Sequence, residues 1–150
     1  GFYIMNQIYW IYIIDDRGAT IFSYETTVQG SLRNNHAIIS HFLHALQSIG
    51  KNLGDNEVKS IDLGNNRFYL TKEKLTNYLF IIKTDTNADF EFINLLLKQI
   101  MFKFVEKFTG HFKLVVDEKI ELINSFKEDI KEILRYKSKF EKFSETLQEA

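Results

Sequence analysis

Few side chains in this sequence of 150 residues combine types and spacing that could support chemistry. His41 and His44 lie three residues apart in a segment with a helical pattern, so their imidazoles could share a metal ion. The chain has no cysteine, and the predicted helix around the pair has no Asp or Glu to supply a third ligand. We therefore expect ordinary helix histidines, with no metal and no cofactor.

Two adjacent carboxylates, Asp15 and Asp16, form the second candidate. Acid–base catalysis would need a pocket and a further titratable group beside them. They precede Arg17 and Gly18, and aspartates followed by glycine are typical of tight turns. The other glycines do not have phosphate-loop spacing, and no serine lies in a nucleophile-elbow sequence. We therefore predict a turn at this position and a protein that is not an enzyme.

Composition narrows the remaining classes. A hydrophobic content of 45% in 150 residues is enough for one domain with a core. The net charge of -1 gives no overall attraction to nucleic acid. The apolar N-terminal stretch lacks a basic region and is too short to cross a bilayer. We expect a cytoplasmic protein, with at most peripheral association with a membrane surface.

The strongest pattern is the apolar run after Gln7, which ends at Ile14. A continuous run of this length, rich in aromatic and β-branched residues, indicates a strand that is buried on both faces. Tyr78–Ile82 has the same character and is its expected neighbour. The other predicted strands are more polar: residues 19–26 and 58–63 are mixed, and residues 67–71 and 76–84 complete a set of five.

Helical periodicity predicts three helices. The first spans residues 32–49, with Ile39, Phe42, Leu43, Leu46 and Ile49 on one face and Gly50 as the residue that ends it. The second spans about 88–109, with Asn87 as its cap and Gly110 after it. The third starts near residue 117. The inward stripes of these two helices are expected to be Phe90, Ile93, Leu97, Ile100, Met101, Phe104 and Phe108, and then Ile120, Ile123, Phe126, Ile130, Ile133 and Leu134.

These elements predict an α+β fold with three layers. Strands one and five belong in the middle of the sheet because they are apolar on both faces. The simplest arrangement is a five-stranded antiparallel sheet in the order 2-1-5-4-3, with helix one on one face and helices two and three on the other. We predict a domain over residues 1–135 and a C-terminal helical extension or tail over residues 136–150.

This pattern resembles the longin domain over roughly residues 7–134. The similar segments are the first hairpin from Ile11 to Gly18, the first helix around His41, and the fifth strand with the turn after Phe80. The resemblance implies a non-catalytic scaffold in membrane trafficking or small-GTPase regulation. Its implied partners are a small GTPase, a SNARE-like helix or a sister longin or roadblock domain, and it implies a possible homodimer. The alternatives are a roadblock-like GTPase-regulator subunit and a small-molecule sensor on a related scaffold.

The expected partner surface lies along helix one and the edge of strand three. An open strand edge has unpaired backbone groups and can recruit another strand. Ile38 falls outside the inward stripe of helix one, so its side chain could serve as an apolar anchor beside that edge. A defended edge, blunted by the charges of Lys59 and Asp62, is the other interpretation. The predicted contact residues are Ile38, Val58, Ser60, Ile61, Asp62 and Leu63.

Overall fold

A computed structural model describes residues 8–26, 36–55, 57–110 and 116–149, with the side chains of 36–40, 116–117 and 136–149 left out. Within these ranges the chain forms five strands and three helices. The strands are β1 (Ile8–Ile14), β2 (Thr20–Glu25), β3 (Val58–Leu63), β4 (Asn66–Lys72) and β5 (Leu79–Asp85). The helices are α1 (His36–Gly50), α2 (Phe90–Phe108) and α3 (Val116–Glu149).

The sheet has the predicted strand order. All neighbouring pairs are antiparallel, and the order is β2-β1-β5-β4-β3. β1 and β5 form the centre because their side chains are apolar on both faces, and only a central position removes both faces from water. This α+β arrangement agrees with a longin-like fold.

Strand alternation in β1 divides its side chains between the two faces of the sheet. Trp10, Tyr12 and Ile14 belong to a buried cluster that includes Leu43 and Leu46 of α1. Rings of the same cluster lie close together, with 5.6 Å between the ring centroids of Trp10 and Phe68. Ile11 and Ile13, which point the other way, are fully buried as well. α1 therefore covers one face of the sheet.

Several predicted boundaries and caps are corrected by the structure. Gly50 is the last residue of α1 instead of a residue beyond it, and it is not among the residues with a positive φ angle. A Cβ atom at Gly50 would lie 2.8 Å from Leu79 Cδ1, so close packing explains the glycine. α2 is capped by Asp89, not by Asn87, because the Asp89 carboxylate accepts a hydrogen bond from Glu91 N. β5 begins at Leu79, since the residues before it form a turn.

Burial on the helices differs from the predicted stripes at a few positions. Ile120 is 51% exposed and Phe90 is 39% exposed, although both were expected to face inward. Phe42 is half-buried, and its ring centroid lies 4.7 Å from that of Phe68. Leu96, which was not in the predicted stripe, is fully buried. Periodicity therefore located the helices better than it located the edges of their buried faces.

The chain forms two compact units, one spanning Gln7–Leu97 and one that begins at Lys98. In the second unit, the rings of Phe104, Phe108 and Phe126 pack together between α2 and α3. α3 continues as one helix to Glu149, while the division into a domain and a separate tail at residue 136 stays a prediction. Among the described helices, none has the length and apolar character needed to cross a bilayer.

Candidate partner-binding edge

β3 forms one border of the sheet. It pairs with β4 along its whole length, from Val58 opposite Thr71 to Leu63 opposite Asn66. In the part of the chain that the structure describes, no strand pairs with its other side. A free strand edge of this kind leaves backbone donors and acceptors that a further strand can use. The predicted edge is therefore present.

The predicted contact residues on β3 fall on both faces of the sheet. Residues opposite each other in antiparallel strands point to the same face. Ile61 lies opposite Phe68, which belongs to the cluster under α1, so Ile61 and Leu63 share the α1 face. Val58, Ser60 and Asp62 alternate with them and point to the opposite face. A partner along β3 would therefore contact two different sets of side chains.

Exposure distinguishes the two apolar residues on the α1 face. Leu63 is 49% exposed. Ile61 is partly buried and packs against the core cluster. Of the other predicted residues, Val58 is half-buried, while Ser60 and Asp62 are exposed. Leu63 is consequently the best-placed apolar anchor on this edge, whereas Ile61 also supports the core.

Asp62 is held by its cross-strand neighbour Arg67. Arg67 Nε donates to Asp62 Oδ1 at 2.6 Å and Arg67 Nη2 donates to Asp62 Oδ2 at 3.0 Å. These hydrogen bonds lower the pKa of Asp62 and raise that of Arg67. Asp62 is therefore one half of a two-point ion pair and not an isolated carboxylate.

Ile38 lies in the first turn of α1, but its side chain is outside the described residues. Its placement beside β3 stays a prediction. His41 and His44 are both exposed. Among the described residues, no group of three or more His, Cys, Asp and Glu side chains could hold a metal ion.

The β1–β2 connection is a tight turn, as predicted. Asp15 Oδ1 accepts hydrogen bonds from Arg17 N and Ala19 N, both at 2.9 Å, and Gly18 has a φ angle of 88°. Asp15 and Asp16 also line an open pocket of about 260 Å³ with Lys51, Lys72 and other residues. Because the Oδ1 atom of Asp15 already accepts two backbone hydrogen bonds, turn formation accounts for this carboxylate.

β5 contains a buried charge that was not predicted from the sequence. Lys83 is 1% exposed and lies opposite Trp10 and Phe68, so it points to the α1 face. Its Nζ atom lies 5.4 Å from the ring centroid of Tyr9, a cation–π geometry. Burial lowers the pKa of Lys83, and the nearby Glu25 carboxylate partly opposes that change. No signal in the sequence separates this lysine from one at a strand end.

Tyr12 lies in the same polar region. Its hydroxyl donates to Glu25 Oε1 at 3.3 Å. Burial and the negative charge of Glu25 raise the pKa of Tyr12 to about 12. Glu25 therefore links the edge strand β2 to two titratable side chains on the α1 face of the sheet.

Comparisons with known proteins give little further information. No protein-family model and no curated protein matches the sequence. Among solved structures, the chain is similar to the crystal structure of MglC from Myxococcus xanthus at 10% identity, covering 68% of this chain and 89% of that chain. The TM-score of 0.49 is too low to support an argument about function. The strand order and the edge geometry are therefore the stronger observations.

Proposed function

We propose that this chain is a non-catalytic, longin-like interaction module that binds a protein partner along β3. The observation that carries the proposal is the outer edge of β3, with which no described strand pairs and on which Leu63 is 49% exposed. An added strand would gain backbone hydrogen bonds from the edge, and Leu63 would supply an apolar contact. The Asp62–Arg67 ion pair would favour a partner with complementary polar groups.

The partner classes follow from the resemblance to longin domains, which the strand order supports. They are a small GTPase, a SNARE-like helix or a sister longin or roadblock domain, and a second copy of the chain is included. The setting would be membrane trafficking or small-GTPase regulation in the cytoplasm, with peripheral association at a membrane surface included. In this proposal the protein acts as an adaptor, and its specificity comes from the edge and not from a pocket.

The test is quantitative affinity purification from the native host with the full chain and its Leu63→Ser variant as baits. We expect one or more partners to be depleted roughly tenfold with the variant, which corresponds to a loss typical of an interface hot spot. If one of the depleted partners is a small GTPase, its binding to the parent chain would then be measured in both of its nucleotide states. Sedimentation of the purified chain tests the homodimer.

Leu75→Ser is the matched control, because Leu75 is 74% exposed and lies on the turn between β4 and β5. Ile38→Asp is a second test variant and should weaken binding if helix one contributes. Ile61→Lys is unsuitable as a binding test, since Ile61 packs against the core and its loss should lower stability. If Leu63→Ser and Leu75→Ser recover the same partners as the parent, the binding surface lies elsewhere.

A further inference from the structure

A second candidate surface lies in the unit that begins at Lys98, which does not include β3. α2 and α3 run antiparallel there, because Phe108 packs on Phe126 while Phe102 and Ile133 line a common groove. The groove has a volume of about 420 Å³, enough for one or two large side chains. Its walls are formed by Gln99, Phe102, Lys103, Glu106, Asp129, Glu132 and Ile133.

Phe102 gives this groove an apolar wall. It is 69% exposed, although Phe104 and Phe108 on the same helix are buried in the ring cluster with Phe126. Phe102 is therefore mostly outside the contact that these rings make between the two helices. An exposed aromatic ring beside a groove is the type of residue that forms the central anchor of protein interfaces. Ile133 is half-buried on the opposite wall.

The charges on the walls are mainly negative, with three carboxylates and one lysine. Lys103 forms an ion pair with Glu106 at 3.4 Å, and Asp129 forms one with Lys107. Glu132 makes no ion pair with another described side chain. Glu132 and Ile133 both belong to the α3 wall of the groove. A partner with a cationic side chain next to an apolar one could therefore place the cation beside the Glu132 carboxylate.

We propose that this groove binds an amphipathic helix of a protein partner. An apolar side chain of that helix packs against Phe102, and a lysine or arginine one turn away faces Glu132. A third helix suits the site, since a cleft between two antiparallel helices accepts a helix face with anchors at i, i+3 or i+4. This surface is separate from β3 along the chain, so its test is independent of the proposed function.

The probes are two fluorescein-labelled model peptides of equal length, an amphipathic Leu/Lys helix and its Leu/Glu counterpart. Fluorescence anisotropy with the full chain measures both affinities. We expect the Leu/Lys peptide to bind and the Leu/Glu peptide to bind at least roughly tenfold more weakly, as expected when one interface charge pair is reversed. Phe102→Ser should weaken the Leu/Lys complex by roughly tenfold.

Two matched controls separate the groove from general electrostatics. Glu132→Lys reverses the charge on the groove wall, and Glu118→Lys is its control, because it makes the same change in net charge at a residue earlier on α3. Ile120→Ser is the control for Phe102→Ser, because it removes another exposed apolar side chain. The proposal requires Glu132→Lys and Phe102→Ser to weaken binding while both controls bind like the parent. It is overturned if the two lysine variants lose affinity equally or if Phe102→Ser binds normally. Sedimentation showing a dimer that Phe102→Ser dissociates would assign the groove to a second copy instead.

Discussion

β5 and β3 belong to one sheet and differ in almost every environment that their side chains meet. In β5, six of seven residues are buried, including Lys83 and Thr84. In β3, no residue is fully buried and four of six are exposed. The sequence of the central strand is therefore constrained by packing at nearly every position. The sequence of the edge strand is constrained on fewer positions, which leaves more of its side chains available for contacts with a partner.

The comparison extends to pairs of residues with similar chemistry: two aliphatic side chains, two carboxylates and two lysines. The aliphatic residue Ile81 is fully buried in β5, whereas Leu63 is half exposed in β3. Glu73, in the turn that leads into β5, and Asp62 of β3 are both hydrogen-bonded, but only Glu73 is buried. Of the two lysines, Lys83 of β5 is buried and Lys59 of β3 is exposed. Each pair allows the effect of position to be measured with the chemistry held nearly constant.

The largest effect is expected for the apolar pair. Ile81→Ala should lower the free energy of unfolding by about 2–5 kcal/mol, because it removes buried methyl groups from the cluster under α1. Leu63→Ala should change it by less than about 0.5 kcal/mol, since the side chain is half exposed. Urea denaturation of both variants measures the difference.

Phe42→Ala sharpens this comparison. A fully buried phenylalanine on α1 would cost about 3–5 kcal/mol, but Phe42 is only half-buried. Its cost should therefore fall between those of Ile81→Ala and Leu63→Ala. A loss at Leu63 as large as that at Ile81 would show that the edge of β3 is covered in solution.

The strand order could be predicted because it depends on features that the sequence shows directly. The continuous apolar runs in β1 and β5 have no stable place except the centre of a sheet. The polar composition of β3 likewise indicated an edge. Topology followed from these assignments and from short connections, which require antiparallel neighbours.

The details that could not be predicted depend on contacts between distant residues. Asn87 and Asp89 are both good helix caps, and only the backbone path selects Asp89. Gly50 is explained by Leu79, which lies far away in the sequence. Lys83 follows an apolar run, and nothing in the sequence predicted its burial. Its environment includes Tyr9, at an irregularity in the pairing of β1 with β5 that the sequence does not reveal.

The second prediction compares the two carboxylates. The Glu73 carboxylate accepts hydrogen bonds from Leu75 N, Thr76 N and Thr76 Oγ1. Glu73→Gln replaces one acceptor oxygen by a donor and should cost about 1–3 kcal/mol at neutral pH. Asp62→Asn should have a much smaller effect, because water and salt screen an exposed ion pair. Thermal and urea denaturation of both variants at neutral pH measure the costs.

The pH dependence provides a further check on Glu73. Burial would raise its pKa, but the hydrogen bonds from Leu75 and Thr76 outweigh burial and lower it. A lowered pKa in the folded state means that the stabilisation is present above the unfolded value of about 4.3 and is lost as the pH falls through the folded value. The difference between parent and Glu73→Gln should therefore shrink below about pH 4. A difference that stays constant in acid would contradict the role assigned to the carboxylate.

The smallest expected effect concerns the two lysines. Lys83→Met should raise the free energy of unfolding at neutral pH by on the order of 1 kcal/mol, because burial lowers the pKa of Lys83 and so makes its charged form less favourable in the folded state than in the unfolded chain. Lys59→Met should leave it nearly unchanged, because Lys59 is exposed. Urea denaturation of both variants at pH 7 and at higher pH makes the measurement.

The sign of the pH dependence distinguishes this explanation from a simple packing effect. Burial lowers the pKa of Lys83 in the folded state. As the pH rises, the folded protein therefore loses this proton at a lower pH than the unfolded chain, in which lysine titrates at about pH 10.4. Between these two pKa values the unfolded state binds more protons than the folded state, so the stability of the parent rises with pH. The difference in the free energy of unfolding between Lys83→Met and the parent should therefore narrow as the pH approaches 10.

Tyr12 changes the pH dependence in the opposite direction, because its pKa is raised to about 12 in the folded state. Measuring Lys83→Met in a Tyr12→Phe background removes that contribution. If Lys83→Met is less stable than the parent and the gap does not change with pH, the ammonium group stabilises the centre of the sheet, and burial alone does not separate β5 from β3.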